Sequence, residues 1–213
     1  MESRMQKIWS RKDKRIALKV YKGHFATPNS HISHYFDMTT LKTRASEARA
    51  VAQVLAQKYS MSTVVDTIVC MDEMQIVGAY LAEELSAAGI MSMNLHQTIY
   101  VISPEFNSAG QIMFRDNLKM MLENKNVIIL MASATTGKTL QACVNSILYY
   151  GGKVAGISCI FSTINKLADV DVNYIFHRQD VPHYQSYKPI ECPLCKEGHR
   201  IDALVNGYGY SKI

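Results

Sequence analysis

Apolar runs and amphipathic stretches alternate along most of the chain. Residues 63–70, 97–103 and 126–132 read "TVVDTIVC", "QTIYVIS" and "NVIILMA". Each run is rich in β-branched residues and bounded by polar ones, which predicts a buried strand. A turn and a fourth strand are predicted in "GGKVAGISCIFS", and a fifth strand in "DVNYIF" at residues 171–176.

Helical periodicity fills the intervals between these strands. Apolar residues recur at helical spacing over residues 43–59, over residues 75–88 and in the stretch that follows residue 139. A further helix is predicted for "DNLKMMLENK" at residues 116–125, and Gly89 is placed to end the helix at 75–88.

This alternation predicts an α/β fold in which a parallel sheet has helices on both faces. In such sheets ligands bind beyond the carboxyl ends of the strands, so the candidate loops follow Cys70, Ser103 and Met131. The first 40 and the last 35 residues lie outside the pattern, and we expect them to form caps or a small subdomain.

Length and composition narrow the class of protein. With 213 residues, 48% hydrophobic and 19% charged, the chain suits a single domain with a small appendage. No run approaches the roughly 20 apolar residues of a membrane span, and the first residues lack the apolar region of a secretory signal. We therefore expect a cytoplasmic protein that does not enter a membrane.

The net charge of +5 is concentrated near the amino terminus, where eight basic residues face only two acidic ones before position 23. The remaining charges nearly cancel, which argues against a nucleic-acid-binding surface. The favoured interpretation is a solvated basic helix with "IW" and "IALKV" turned inward. The alternative is an arm that lends positive charge to an anionic ligand site.

The stretch "LMASATTGKTL" at residues 130–140 predicts an anion site. Small residues between a buried strand and a helix let backbone N–H groups converge, and the helix N-terminus adds partial positive charge. An ordinary tight turn capped by threonine is the simpler alternative. A nucleoside-triphosphate P-loop is another, but its first glycine is replaced by Ala132.

The same stretch resembles the loop of type I phosphoribosyltransferases that receives the 5-phosphate of phosphoribosyl pyrophosphate (PRPP). The resemblance covers roughly residues 20–180. It implies that the phosphate-binding residues are Ser133, Ala134, Thr135, Thr136, Gly137, Lys138 and Thr139. It also implies a phosphoribosyltransferase fold with a small N-terminal hood or hairpin, and a homodimer.

Two other segments are similar to the orotate phosphoribosyltransferase branch. "GHFATPNSHISHYFDM" at residues 23–38 resembles its N-terminal hairpin, in which Ser33, Tyr35 and Phe36 would frame the base. "IVCMDEMQIVGAYLAEELSAAG" at residues 68–89 resembles its pyrophosphate loop and following helix. The implied pyrophosphate-binding residues are Asp72, Glu73, Met74 and Gln75, with Mg²⁺ accompanying PRPP.

The sequence departs from the family pattern at three places. Met131 and Ala132 stand where the family carries two acidic residues that hold the ribose hydroxyls near a cationic transition state. Arg115 is the only basic residue in "YVISPEFNSAGQIMFRDN", where orotate enzymes place several. Pro28 or Asn29 replaces a lysine for the orotate carboxylate. Two hypotheses follow: a transferase of phosphoribosyl to a base, and a binding or regulatory module that kept the phosphate loop.

"ECPLCKEGH" near the carboxyl end places Cys192 and Cys195 at C-x-x-C spacing, with His199 four residues later. These are three ligands of a tetrahedral zinc site, and the fourth is missing locally. A reduced turn packed by Pro193 and Leu194 is therefore favoured over a structural zinc ion. Cys70, Cys143 and Cys159 lie in apolar runs and are expected to be buried thiols.

Overall fold

The computed structural model describes residues 2–87, 92–95 and 98–213. The predicted helix end at Gly89 and the first residue of the 97–103 strand lie outside this range. The strands are β1 (Met5–Trp9), β2 (Ala17–Ala26), β3 (His31–Asp37), β4 (Thr67–Cys70), β5 (Tyr100–Ile102), β6 (Glu105–Phe106), β7 (Ile112–Met113), β8 (Asn126–Ala134), β9 (Lys153–Ser162), β10 (Lys166–Leu167), β11 (Val170–His177), β12 (Ser186–Tyr187), β13 (Ala203–Asn206) and β14 (Gly209–Lys212). The α-helices are α1 (Thr39–Thr43), α2 (Ala45–Ala56), α3 (Gln75–Ala87), α4 (Lys138–Tyr149) and α5 (Pro193–Lys196).

A six-stranded central sheet has the order β10, β11, β9, β8, β4, β5. All neighbours are parallel except β10, which pairs antiparallel with β11. Alternate side chains of β8 enter two different cores, as the period of a strand requires. Ile128 and Leu130 pack in the core that contains α2 and α3, whereas Ile129 and Met131 pack in the core that contains α4. The predicted fold class, a parallel sheet with helices on both faces, is confirmed.

A second sheet, here called the hood, joins the two ends of the chain. Its order is β12, β3, β2, β13, β14, and β1 pairs with the free part of β2. The parallel pairing of β13 with β2 brings Ala203 opposite Phe25. The carboxyl-terminal segment is therefore part of a sheet, with one edge position taken by β14.

The predicted basic N-terminal helix is wrong, because residues 5–9 form strand β1 after a short 3-10 turn at Glu2–Arg4. In β2 the apolar residues recur with period two: Leu18 and Val20 are buried while Lys19 is partly exposed. This period suits a strand and not a helix. Of the pair "IW", Ile8 is partly buried and packs against the core, whereas Trp9 is 57% exposed.

Two predicted helices differ in detail from those of the structure. The helix predicted at 43–59 is divided, because Arg44 has an extended backbone that separates α1 from α2, and it ends at Ala56. The helix predicted at 116–125 is a 3-10 helix over Asp116–Met121. Among the described residues, no helix has the length and apolar character needed to span a membrane.

Candidate functional site

A cleft lies where the hood meets the carboxyl ends of β4 and β8. Its lining comes from the β2–β3 turn, from β3 and α1, from the 131–140 segment and from residues 205–209. Among the residues that the structure describes, the charged side chains lining it are Lys42, Lys138 and Asp72. Two cations against one carboxylate favour an anionic ligand.

The loop between β8 and α4 forms one wall of the cleft, and all seven predicted phosphate-binding residues, 133–139, line it. Gly137 precedes α4 with φ 73°, a left-handed conformation that glycine adopts without strain. The carbonyl groups of Ala134 and Thr135 accept hydrogen bonds from the backbone and the hydroxyl of Thr163, at 2.9 and 2.7 Å. The first N–H groups of α4 lack helical partners and are available to an anion.

The end of β4 supplies the carboxylate of the cleft. Asp72 and Glu73 have φ values of 52° and 62°, a strained conformation for residues other than glycine that costs on the order of 1–3 kcal/mol each. The Ala132 amide donates to Asp72 Oδ2 at 3.2 Å. Burial raises the pKa of Asp72, and the amides of Ala132 and Ser133 and the charge of Lys42 oppose that rise.

Lys42 is a buried cation at the back of the cleft that the sequence did not reveal. Its Nζ donates to the carbonyl oxygen of Asp72 at 2.9 Å and to that of Gly207 at 2.6 Å. It also lies 3.5 Å from Glu73 Oε2. Lys42 thus ties α1 to the strand end that carries Asp72 and to the segment at 205–209.

Aromatic rings form the hood side of the cleft. Tyr35 and Phe36, predicted to bind a base, both line it together with Tyr184. The Phe36 ring lies 4.2 Å from that of Phe161 and 5.3 Å from that of Tyr184, measured between centroids. Burial raises the pKa of Tyr35, so its hydroxyl stays protonated at neutral pH. Ser33 lies outside the lining, where its Oγ accepts from the backbone of Gln185 at 2.8 Å.

Several predicted site residues lie elsewhere. Of the four residues assigned to pyrophosphate, only Asp72 lines the cleft: Glu73 and Gln75 are exposed, and Met74 is buried in the core. Arg115 pairs with Glu105 at 2.6 Å on the β6–β7 hairpin, outside the lining. Among the described residues, the basic side chains from position 4 to position 22 also lie outside the lining of this cleft.

Met131 and Ala132, which replace the acidic pair of the family, have different environments. Met131 is 3% exposed and belongs to the core around α4, whereas Ala132 belongs to the core on the opposite face. Both touch the cleft. The carboxylate of Asp72, which follows the neighbouring strand β4, accepts a hydrogen bond from the backbone amide of Ala132. No local sequence signal predicts this contact, because it depends on β4 and β8 being neighbours in the sheet.

Comparison with known proteins shows similarity to phosphoribosyltransferases. No protein-family model matches the chain. The orotate phosphoribosyltransferase of Chlorobium phaeobacteroides is 27% identical over 185 residues, which cover 85% of this chain and 86% of the relative.

Solved structures of low identity share the fold. Leishmania donovani UMP synthase superposes with a TM-score of 0.55 at 18% identity, covering 75% of this chain and 34% of that chain, so this protein spans about a third of its length. An adenine phosphoribosyltransferase from Thermoanaerobacter pseudethanolicus gives a TM-score of 0.52 at 16% identity, covering 83% and 96%. The predicted resemblance is confirmed: the chain has the type I phosphoribosyltransferase fold, and its sequence is similar to orotate phosphoribosyltransferase.

Proposed function

We propose that the protein is a phosphoribosyltransferase that moves the phosphoribosyl group of PRPP to a nitrogenous base. A pyrimidine such as orotate is the first candidate, because the curated relative is an orotate phosphoribosyltransferase. The fold alone is also that of adenine phosphoribosyltransferase. The cleft supports the general reaction, and the choice of base rests on the sequence similarity.

The observation that carries the proposal is the position of the Asp72 carboxylate. Its Oδ2 lies 3.2 Å from the Ala132 amide, beside the backbone at which the resemblance expects two acidic side chains. A carboxylate that reaches this place from the neighbouring strand offers negative charge where positive charge develops on the ribose ring. Asp72 therefore compensates for part of the missing acidic pair.

The other walls suit the remaining parts of the substrates. The 5-phosphate would bind the N-terminus of α4, with Lys138 at its entrance, and the base would lie near Tyr35 and Phe36. Oxygen donors suit Mg²⁺, which would neutralise pyrophosphate as it leaves, and Asp72 is the carboxylate available to hold it. No covalent nucleophile is required, because the protein positions the reactants and stabilises charge.

A catalytically impaired PRPP- or nucleotide-binding regulator is the second candidate. Two observations favour it: position 131 carries a buried methionine, and Arg115 pairs with Glu105 outside the cleft. Such a protein would bind PRPP at the 133–139 loop without releasing pyrophosphate.

Calorimetric titration with PRPP and Mg²⁺, followed by pyrophosphate release with orotate and other bases, tests both candidates. Asp72→Asn should still bind PRPP through the 133–139 loop but lower turnover about 100-fold or more, the scale on which one preorganised electrostatic contact acts. Glu73→Gln is the matched control, because Glu73 lies on the same strand end but outside the cleft lining. Binding without release in the wild type would favour the regulator, and no binding would refute both.

A further inference from the structure

Four potential metal ligands meet on the hood, away from the cleft. They are His24 on β2, His31 on β3, Cys192 at the start of α5 and Cys195 within it. One ligand atom from each lies within 4.8 Å of all the others. His24 and His31 are the partners that the local sequence around the two cysteines lacked.

The separations between these atoms suit a tetrahedral zinc ion. Zinc bond lengths of about 2.0–2.1 Å to nitrogen and 2.3 Å to sulfur imply about 3.4 Å between two nitrogens and about 3.6 Å between nitrogen and sulfur. His24 Nε2 lies 3.1 Å from His31 Nδ1, 3.5 Å from Cys192 Sγ and 3.6 Å from Cys195 Sγ. Cys195 Sγ lies 3.2 Å from His31 Nδ1.

Surrounding contacts orient the first histidine. His24 is 4% exposed, and its Nδ1 lies 3.0 Å from the backbone carbonyl of His199. Donation of the Nδ1 proton to that carbonyl leaves the Nε2 lone pair directed at the two sulfur atoms. A backbone carbonyl behind a histidine ligand is a common outer partner in zinc sites.

The role of His199 differs from the one that spacing suggested. Its ring is exposed, with Nε2 3.4 Å from Glu197 Oε2, and it does not belong to the group of four. His199 contributes its backbone carbonyl oxygen as the hydrogen-bond partner of His24, and its imidazole is not one of the four ligands. The sequence-based ligand set of Cys192, Cys195 and His199 is therefore wrong at its third member.

We propose that His24, His31, Cys192 and Cys195 bind one structural zinc ion. Four protein ligands leave no open position for substrate, which is the arrangement of a structural site. Binding releases the two thiol protons, and two thiolates with two neutral imidazoles balance the charge of Zn²⁺. This neutrality is compatible with the burial of His24 and Cys192.

The ion would connect parts of the chain that line the cleft. His24 and His31 flank the β2–β3 turn, whose residues Thr27, Pro28 and Asn29 belong to the lining. Cys192 and Cys195 precede β13, which leads into the lining segment at 205–209. Zinc would therefore fix the hood side of the cleft without taking part in the reaction.

Cobalt reconstitution of the whole reduced protein tests the proposal. After chelation under reducing conditions, we expect Co²⁺ to bind at one equivalent with the strong visible bands of a tetrahedral thiolate site, and Zn²⁺ to displace it. Because Cys195 is exposed, Cys195→Ser should fold normally. It should weaken zinc binding more than about 100-fold, since even outer-partner changes cost 10–100-fold.

The control separates the two ligand sets. His199→Ala keeps the backbone carbonyl, so its cobalt spectrum and metal content should equal those of the wild type, whereas His31→Ala should lose the bands. Chelation should lower the Tm of the wild type and of His199→Ala but not that of Cys195→Ser. Absence of a tetrahedral spectrum in the wild type, or its loss in His199→Ala, would overturn the proposal. These readouts do not depend on transferase activity.

Discussion

Replacement of Lys42 by methionine tests whether the buried ammonium group holds the back of the cleft together. Methionine keeps most of the length and apolar volume of the lysine stem but donates no hydrogen bond. The carbonyl groups of Asp72 and Gly207 would lose the donor that now lies 2.9 and 2.6 Å away. Protein stability should therefore fall although the core remains filled.

The expected loss follows from these contacts. A hydrogen bond to a charged group contributes about 1.5–3 kcal/mol, so two give a gross loss of about 3–6 kcal/mol. Removal of a buried charge returns part of its desolvation cost, and the ion pair with Glu73 adds little because Glu73 is half exposed. We expect a net loss of about 3 kcal/mol, which for a chain of this size lowers Tm by roughly 6–12 °C.

Urea denaturation and thermal unfolding measure the effect. Lys166→Met is the matched control, because Lys166 is 56% exposed and its ion pair is with exposed Asp169. Its unfolding free energy should change by less than about 0.5 kcal/mol. If Lys42→Met were within about 1 kcal/mol of that control, the argument that Lys42 satisfies the two buried carbonyl groups would be refuted.

Three further changes probe the same region. Burial raises the pKa of Asp72 above its ordinary 3.8, so the folded state binds the proton more tightly than the unfolded state. The wild type should therefore lose stability as pH rises from 3.8 through the folded pKa, and Asp72→Asn should not. If the stabilities of the two proteins, measured by urea denaturation from pH 4 to 8, ran parallel, this prediction would be contradicted. Gly137→Ala puts a Cβ on a residue at φ 73°, 3.3 Å from the side chains of Ile164 and Leu167. It should lower the free energy of unfolding by about 1–2 kcal/mol in thermal unfolding and weaken PRPP binding in calorimetry. Unchanged PRPP affinity would show that this loop does not bind the ligand. Gly207→Ala would place a Cβ 2.5 Å from Asp72 Oδ1 and should lower pyrophosphate release, whereas full activity would show that Asp72 is free to move.

The central sheet was predictable because its strands carry their own signals. The apolar runs at 63–70 and 126–132 are β-branched and bounded by polar residues; the second is contained in β8, whereas only the last four residues of the first form β4. The small residues at 133–139 likewise predicted a loop before a helix, and the structure has α4 beginning at Lys138. Local composition and local structure agree in these segments.

The hood and the charged part of the cleft depended on contacts between distant segments. The hydrophobic period of β2 was two, but the density of lysine and arginine favoured a solvated helix in the prediction. Lys42 has no distinguishing neighbour in sequence, and its partners lie 30 and 165 residues away. His24 and Cys192 are 168 residues apart, so no spacing rule links them.

The pairing of β2 with β13 has a consequence for the order in which the protein is made and folds. Ala203, the partner of Phe25, is synthesised only after all six strands of the central sheet, which lie between residues 67 and 177. Closing so long a loop is slow compared with the formation of local contacts. During translation the end of β2 at Phe25 and Ala26 therefore stays unpaired, although β1 can already pair with residues 17–21. We expect nascent protein to be most prone to aggregate, and most dependent on chaperones, in that interval.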